Sequence, residues 1–184
     1  MAAVEEHTHV EDVAKDSRIV DTIGVLPVRD LIVYPHMAAP LVANRPGSIK
    51  ALDEALPQDK QVMILAQRDP EVDRPTPDDL YKVGTLAKVH KAMRLPEDSL
   101  YVVVQGMARA RVLDVLETDP VLRVCVELLP EQEEKSLEVQ ALAQNLSDQF
   151  QKLVGLVNTM SDELKIPAIN LEDQPSKLAD FIAF

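Results

Sequence analysis

Tryptophan is absent from this sequence of 184 residues, and phenylalanine and tyrosine occur three times each. A core must therefore rest on Val, Leu, Ile, Ala and Met. There is a single cysteine, Cys125. A lone cysteine closes no internal disulfide and builds no thiolate metal site, which fits a reducing cytoplasm. Cys125 stands in an alternating apolar run and is expected as a small buried hydrophobe. Glycine is scarce, at five residues, and nothing matches G-x-x-x-x-G-K-S/T. The backbone cradle for nucleotide phosphates is therefore missing. No H-E-x-x-H and no Cys/His pair at metal spacing occurs. Positive charge is in deficit: 19 Lys and Arg face 31 Asp and Glu, for a formal charge of -12. Nucleic-acid binders neutralise phosphates with Lys and Arg. The richest basic stretch here, Lys82 to Arg94, is interspersed with apolar residues, so no nucleic acid is expected as a partner. The same balance speaks against an anionic membrane surface. No apolar run approaches the ~20 residues of a membrane-spanning helix.

What is present is enough hydrophobic residue, 46%, to form a real core. The length suits one domain, or one plus an attached helical segment. The first residues are acidic and polar, without the positive start and apolar stretch of a secretory signal. Residues 1–20 are expected to be a disordered leader.

Residues 21–129 carry strand patterns. Ile23 to Val28 and Met37 to Val42 are short apolar runs beside a proline or turn. Gln61 to Ala66 is continuously apolar and suits a strand buried on both faces. In Val83 to Leu95, the residues Val83, Thr85, Ala87 and Val89 alternate with Gly84, Leu86, Lys88 and His90. Leu100 to Val104 is β-branched, Arg109 and Arg111 alternate with Ala110 and Val112, and Val121 to Leu128 alternates throughout. Leu95-Pro96-Glu97-Asp98-Ser99 reads as a hairpin loop. Asp69 to Asp79, with three prolines and five acids, reads as an extended surface loop. One short helix interrupts the strands. Asn44 or Ser48 could cap it, and Ile49, Leu52 and Leu56 form its stripe before Pro57. Gly84 and Gly106 fall within strand patterns, where a bulge or close backbone approach is expected. Pro35 holds Tyr34 extended, and Arg29-Asp30 can close a turn as an ion pair. Arg109 and Arg111 share a strand face and are expected to pair with local acids.

Residues 130–184 switch to helical period. Val139, Leu142, Leu146, Phe150, Leu153, Val157, Met160 and Leu164 predict one long amphipathic helix ended by Pro167. Asp173 is a candidate cap for a second helix holding Leu178, Phe181 and Ile182. A terminus inside an apolar stripe leaves that stripe nothing to bury against, so the chain is expected to continue beyond Phe184 in its parent.

No catalytic, cofactor-binding or metal-binding constellation emerges. The acids lie in polar runs around prolines and read as solvated. His7 and His9 fall in the leader. The serines lie outside any nucleophile-elbow pattern.

The stretch Leu26-Pro27-Val28-Arg29-Asp30, then Ile32-Val33-Tyr34-Pro35 and Pro40-Leu41, resembles the opening of the amino-terminal domain of Lon-type ATP-dependent proteases. Further matches follow in order: Arg45 to Leu56, Val62 to Gln67, Val83-Gly84-Thr85-Leu86-Ala87, Arg94-Leu95-Pro96-Glu97, Val102 to Val112 and Leu178-Ala179-Asp180. The resemblance spans about Ile23 to Phe184. It implies an α+β fold, a mostly antiparallel PUA-like pseudo-barrel with one short helix, followed by the start of a helical bundle. It also implies a non-catalytic region, with ATP, Mg and a Ser-Lys protease dyad belonging to other parts of the parent. The implied partners are unfolded or damaged polypeptides and, in a hexamer, other copies of the parent chain. Recognition of such polypeptides needs exposed apolar surface. Tyr34, Pro35, Met37, Met93 and Leu95, near loop or hairpin positions, are the expected contacts, and Met suits promiscuous docking. Two alternatives stay open: an assembly module working through the Val139 to Leu164 seam, and a free-standing protein-binding module.

Overall fold

The computed structural model describes residues 19–131, 134 and 136–184. The expected leader lies largely outside them, although Ile19 and Val20 already belong to the first strand. Six strands occur: β1 (Ile19–Val28), β2 (Ala38–Ala43), β3 (Gln61–Ala66), β4 (Val83–Arg94), β5 (Leu100–Glu117) and β6 (Arg123–Leu128). Their order is β2-β5-β4-β3-β1-β6, and β5 also pairs β6. That last pairing closes five strands into a ring and leaves β2 hanging on one edge of β5. All pairings are antiparallel except β1 with β3. The fold is α+β and barrel-like, as the sequence pattern and the resemblance imply.

The 18-residue β5 makes closure possible. Its first half pairs β2 and its second half pairs β6, both along the same edge, while β4 runs along the other. Bulges in the β4 and β6 pairings bend it, as barrel strands require. β3 explains its own unbroken apolar sequence. Val62 and Ile64 face one core with Leu52, Val89, Val102 and Val104. Met63 and Leu65 face a second core with Val25, Leu86, Val124 and Val126. Both faces of the strand are buried, so no alternation appears.

Helix α1 (Pro46–Ala55) covers one end of the first core with Ala51 and Leu52. Neither Asn44 nor Ser48 caps it. Arg45 holds the cap position without a side-chain bond, and Ser48 sits inside the first turn. Arg123 ties this helix to the barrel, donating to Glu54 at 2.6 Å and to Glu117 at 2.7 Å. The hydrogen bond to Glu117, then that to Glu54, push the Arg123 guanidinium up from its ordinary value. The hairpin between β4 and β5 forms as expected, with Glu97 and Asp98 at φ 62° and 52° and the Leu95 N–H donating to the Ser99 carbonyl at 2.9 Å.

Several expectations are corrected. Cys125 is half-buried, not buried: it shares a face with Arg123 and Glu127, whereas Val124 and Val126 point inward. Arg29 pairs with Asp73, 2.7 Å away, not with Asp30. The single long helix is broken in two: α2 (Leu137–Leu156), and a 3₁₀ turn at Asp162–Leu164 leading into α3 (Lys165–Asn170); the expected second helix is α4 (Pro175–Ala183). Val157 is extended and ends α2. The apolar period continues across the break because α3 folds back, placing Met160, Leu164 and Ala168 in the same third core as Phe150 and Val154. Periodicity reports which residues are buried, not whether the helix is continuous. The buried face of α2 is Ala143, Ser147, Phe150 and Val154. Leu142, Leu146 and Leu153 of the expected seam are exposed. Asp173 does not cap α4; Gln174 stands there without a side-chain bond. Leu178, Phe181 and Ile182 do find a core, with the Phe150 and Phe181 rings edge to face at 5.7 Å. Their apolar stripe is therefore not without a partner.

Candidate functional site

The five residues expected to contact polypeptide fall into two groups. Tyr34 to Met37 form a tight turn beside β5. His36 adopts a left-handed φ of 66°. Its N–H donates to the Gly106 carbonyl, and the Gly106 N–H donates to the Met37 carbonyl, both at 2.9 Å. A Cβ on Gly106 would lie 2.1 Å from the Tyr34 carbonyl oxygen, which is why glycine is needed there. Pro35 is fully buried and has no surface to present, which corrects its expected exposure. Tyr34 and Met37 are half-buried.

This turn is a junction between barrel and helices. The Arg109 guanidinium lies 5.9 Å from the centre of the Tyr34 ring and donates two hydrogen bonds to the Asp180 carboxylate of α4. Thus Arg109 pairs with an acid far along the chain, whereas Arg111 pairs, more loosely at 3.9 Å, with Glu127 of the adjoining strand. His36 Nε2 meets Glu131 at 2.7 Å.

Met93 and Leu95 lie by the start of β5. Met93 is 48% exposed and Leu95 is half-buried. Met93 pairs with Tyr101, whereas the Tyr34 turn sits against Gly106. Five residues of extended strand separate those anchors by about 17 Å. The fold does not bring the two groups together.

It does bring Met93 together with residues that the sequence reading passed over. Val42 and Met93 both lie directly opposite Tyr101, one on each side of it. Opposed residues in a ladder share a face at Cβ separations of about 4.5–5.5 Å. Val42 is 59% exposed. Two positions along, Pro40 and Lys91 flank Val103 in the same way. The outer face of β2-β5-β4 therefore presents an apolar ladder of Val42, Tyr101, Met93, Pro40 and Val103, with Lys91 beside it. Alternation in each strand hinted at outward residues, but only the register aligns them. Pro40 stands on an edge strand, where its missing N–H costs no ladder bond.

Around the free edge of β2 the surface turns inward. A cleft of about 360 Å³ runs between Pro40 to Arg45 and Leu26 to Leu31. A second, of about 610 Å³, continues past the start of α1 toward Arg74 and Pro120. Arg29, Asn44, Arg45 and Ser48 line both. Arg45 donates to Gln67 Oε1 at 2.6 Å and the Pro27 carbonyl at 3.3 Å. Burial, then the like charge of Arg29, push its guanidinium below its ordinary value, and Asp73 offsets part of this. Among the described residues no group of three His, Cys, Asp or Glu could hold a metal ion, and no helix is long and apolar enough to cross a membrane.

Residues 22–184 match the family model described as the ATP-dependent protease La (LON) substrate-binding domain. Among curated proteins, Lon protease of Dictyoglomus thermophilum is 39% identical over 90% of this chain and 21% of its own length. Lon protease of Koribacter versatilis is 40% identical over 97% of this chain and 22% of its own. The chain thus spans about a fifth of these relatives. Among solved structures, the N-terminal domain of Mycobacterium avium complex Lon protease superposes with a TM-score of 0.71 at 25% identity, covering 87% of this chain and 80% of that one. A Lon N-terminal domain protein from Xanthomonas campestris, 14% identical, shares the fold at a TM-score of 0.53, over 90% of this chain and 99% of that one.

Proposed function

This chain belongs to the family of the ATP-dependent protease La (Lon) substrate-binding domain, and from that premise we propose that it captures unfolded or damaged polypeptides in the cytoplasm. The observation that carries this reading is the exposed ladder of Val42, Tyr101 and Met93 on the β2-β5-β4 face. Native proteins bury apolar side chains, so a shallow apolar face selects chains that have lost that burial. Such a surface suits many sequences, because Met adapts its shape and Tyr adds a hydroxyl at low entropic cost. In this reading the domain does no bond chemistry. No phosphate-loop motif occurs in its sequence; in this reading ATP and Mg bind other parts of a longer protease, where the captured peptide is cut.

Met93→Ser with Val42→Ser tests the proposal. Each substitution removes part of an apolar contact of roughly 1 kcal/mol, so affinity for a reduced, carboxymethylated globular protein should fall roughly 10- to 30-fold. Fluorescence anisotropy reads this, and circular dichroism checks that the barrel persists. Unchanged affinity in a folded double variant rejects the surface.

A second reading is favoured by a separate observation. Leu142, Leu146 and Leu153 form an exposed stripe on α2, as a self-association seam would. Sedimentation of the chain over a hundredfold concentration range decides it: a constant monomer mass rejects the seam, and association abolished by Leu142→Glu with Leu153→Glu supports it.

A further inference from the structure

The two clefts around the start of α1 form a basic concavity in an otherwise acidic protein. Arg29, Arg45, Lys50 and Arg74 line the larger one, against the acids Asp73 and Asp119. Of these bases, Arg29 alone makes a close ion pair among the described residues, with Asp73, which also acts on Arg45 at longer range. The bonds Arg45 makes go to neutral acceptors, leaving donors of its guanidinium fork unused. Lys50 and Arg74 are exposed. The start of the helix adds to this field. Its first turn carries no acid and its cap residue makes no side-chain bond. Pro46 has no N–H to offer, and the first bond into the helix comes from Ile49, to the Arg45 carbonyl. The N–H groups of Gly47 and Ser48 are left without acceptors among the described residues.

Ser48 is the independent sign of a ligand. It is 7% exposed, yet its hydroxyl has no hydrogen-bond partner among the described residues. No sealed side-chain oxygen or nitrogen there lacks a partner, so this hydroxyl is not wholly sealed, and Ser48 lines both parts of the cleft. A buried hydroxyl, two orphan N–H groups at a helix start and a half-used guanidinium all belong to residues that line one space. Oriented donors with a positive field select an anion that accepts several hydrogen bonds. β2 joins this space to the apolar ladder, because Pro40 and Val42 belong to both.

We propose that this cleft binds a carboxylate of the polypeptide held on the ladder, either its C-terminal group or an Asp or Glu side chain. The inference rests on the polypeptide-binding reading above and deepens it: the preferred substrate is an apolar segment with a carboxylate beside it.

The test uses three N-acetylated apolar peptides. One ends in a free carboxylate, one ends in an amide, and one amidated peptide carries an internal Glu. Affinity is measured by anisotropy, and the Gly47 and Ser48 amides are followed by NMR. At least one carboxylate peptide should bind about tenfold tighter than the plain amide and shift both amide signals; which one does so names the source of the carboxylate. Lys50→Glu with Arg74→Glu, both on exposed side chains, should erase the preference while leaving the amide peptide bound. Ser48→Ala should halve it or more. Met93→Ser should weaken all three peptides alike and keep the ratio. Equal binding of all three, or unmoved Gly47 and Ser48 signals, overturns the carboxylate site and leaves the ladder standing. Failure of every peptide to bind overturns both.

Discussion

Arg109→Ala should release α4 from the barrel. Asp180 is 5% exposed and Arg109 is its side-chain partner, donating two hydrogen bonds from a strand 71 residues earlier. Removing one member of a buried, hydrogen-bonded pair leaves the other charge desolvated and alone, at a cost of about 3–5 kcal/mol. The Arg109 side chain is itself 39% exposed, so water can partly replace it and the cost falls to about 2–3 kcal/mol. Loss of its stacking on Tyr34 contributes less, about 0.5–1 kcal/mol. Few other contacts join helices to barrel, so the penalty should appear as local opening. Amide hydrogens of α4 should exchange roughly 30- to 140-fold faster, with β3 amides little changed. A double variant, Arg109→Leu with Asp180→Leu, should recover most of the loss, because no orphan charge remains. If α4 exchange changes less than threefold in Arg109→Ala, or the double variant is simply additive, the junction is not held by this pair.

Gly106→Ala should lower the melting temperature by roughly 4–8 °C, because a methyl 2.1 Å from the Tyr34 carbonyl oxygen forces backbone to move, at a cost of about 2 kcal/mol; a shift under 1 °C by calorimetry would mean the turn is free to yield. The Asp79 carboxyl should titrate below the ordinary aspartate range, since it accepts hydrogen bonds from the Thr76 hydroxyl and N–H. Its folded value is the depressed one, so its contribution to stability is present above the unfolded value and is lost as pH falls through the folded one. NMR titration of Thr76→Ala should move it part of the way back up, and an unchanged midpoint would show that the hydroxyl bond is immaterial.

Strands and hairpin were legible because each had a local cause. Val62 to Leu65 needed burial on both sides, and Leu95 to Ser99 carried turn chemistry between two apolar runs. Gly84 and Gly106 marked real close approaches: a Cβ on Gly84 would lie 2.2 Å from the Ile64 carbonyl oxygen. The helical segment was less legible. Its apolar period runs on through Val157, although the chain turns there, because both arms of the turn bury into one core. The apolar ladder was half legible. Met93 could be suspected from its place beside a hairpin, but Val42 and Tyr101, 59 positions apart in sequence, meet only through strand register. Pro35 misled because a proline in a loop is usually at the surface, whereas this one is fully buried in the turn that packs on Gly106.

The sequence alone determined the composition of the core, the absence of a phosphate loop, the family resemblance and where strands fall, though not that Leu100 to Glu117 is one continuous strand, since each rests on residue type and short-range spacing. Only the tertiary structure decided what lies beside what: the ladder across β2, β5 and β4, the Arg109–Asp180 tie, and the basic cleft at the start of α1. Those depend on ring closure through β5 and on strand register, and a one-residue slip of register, which leaves the sequence untouched, would turn each strand's outward side chains inward.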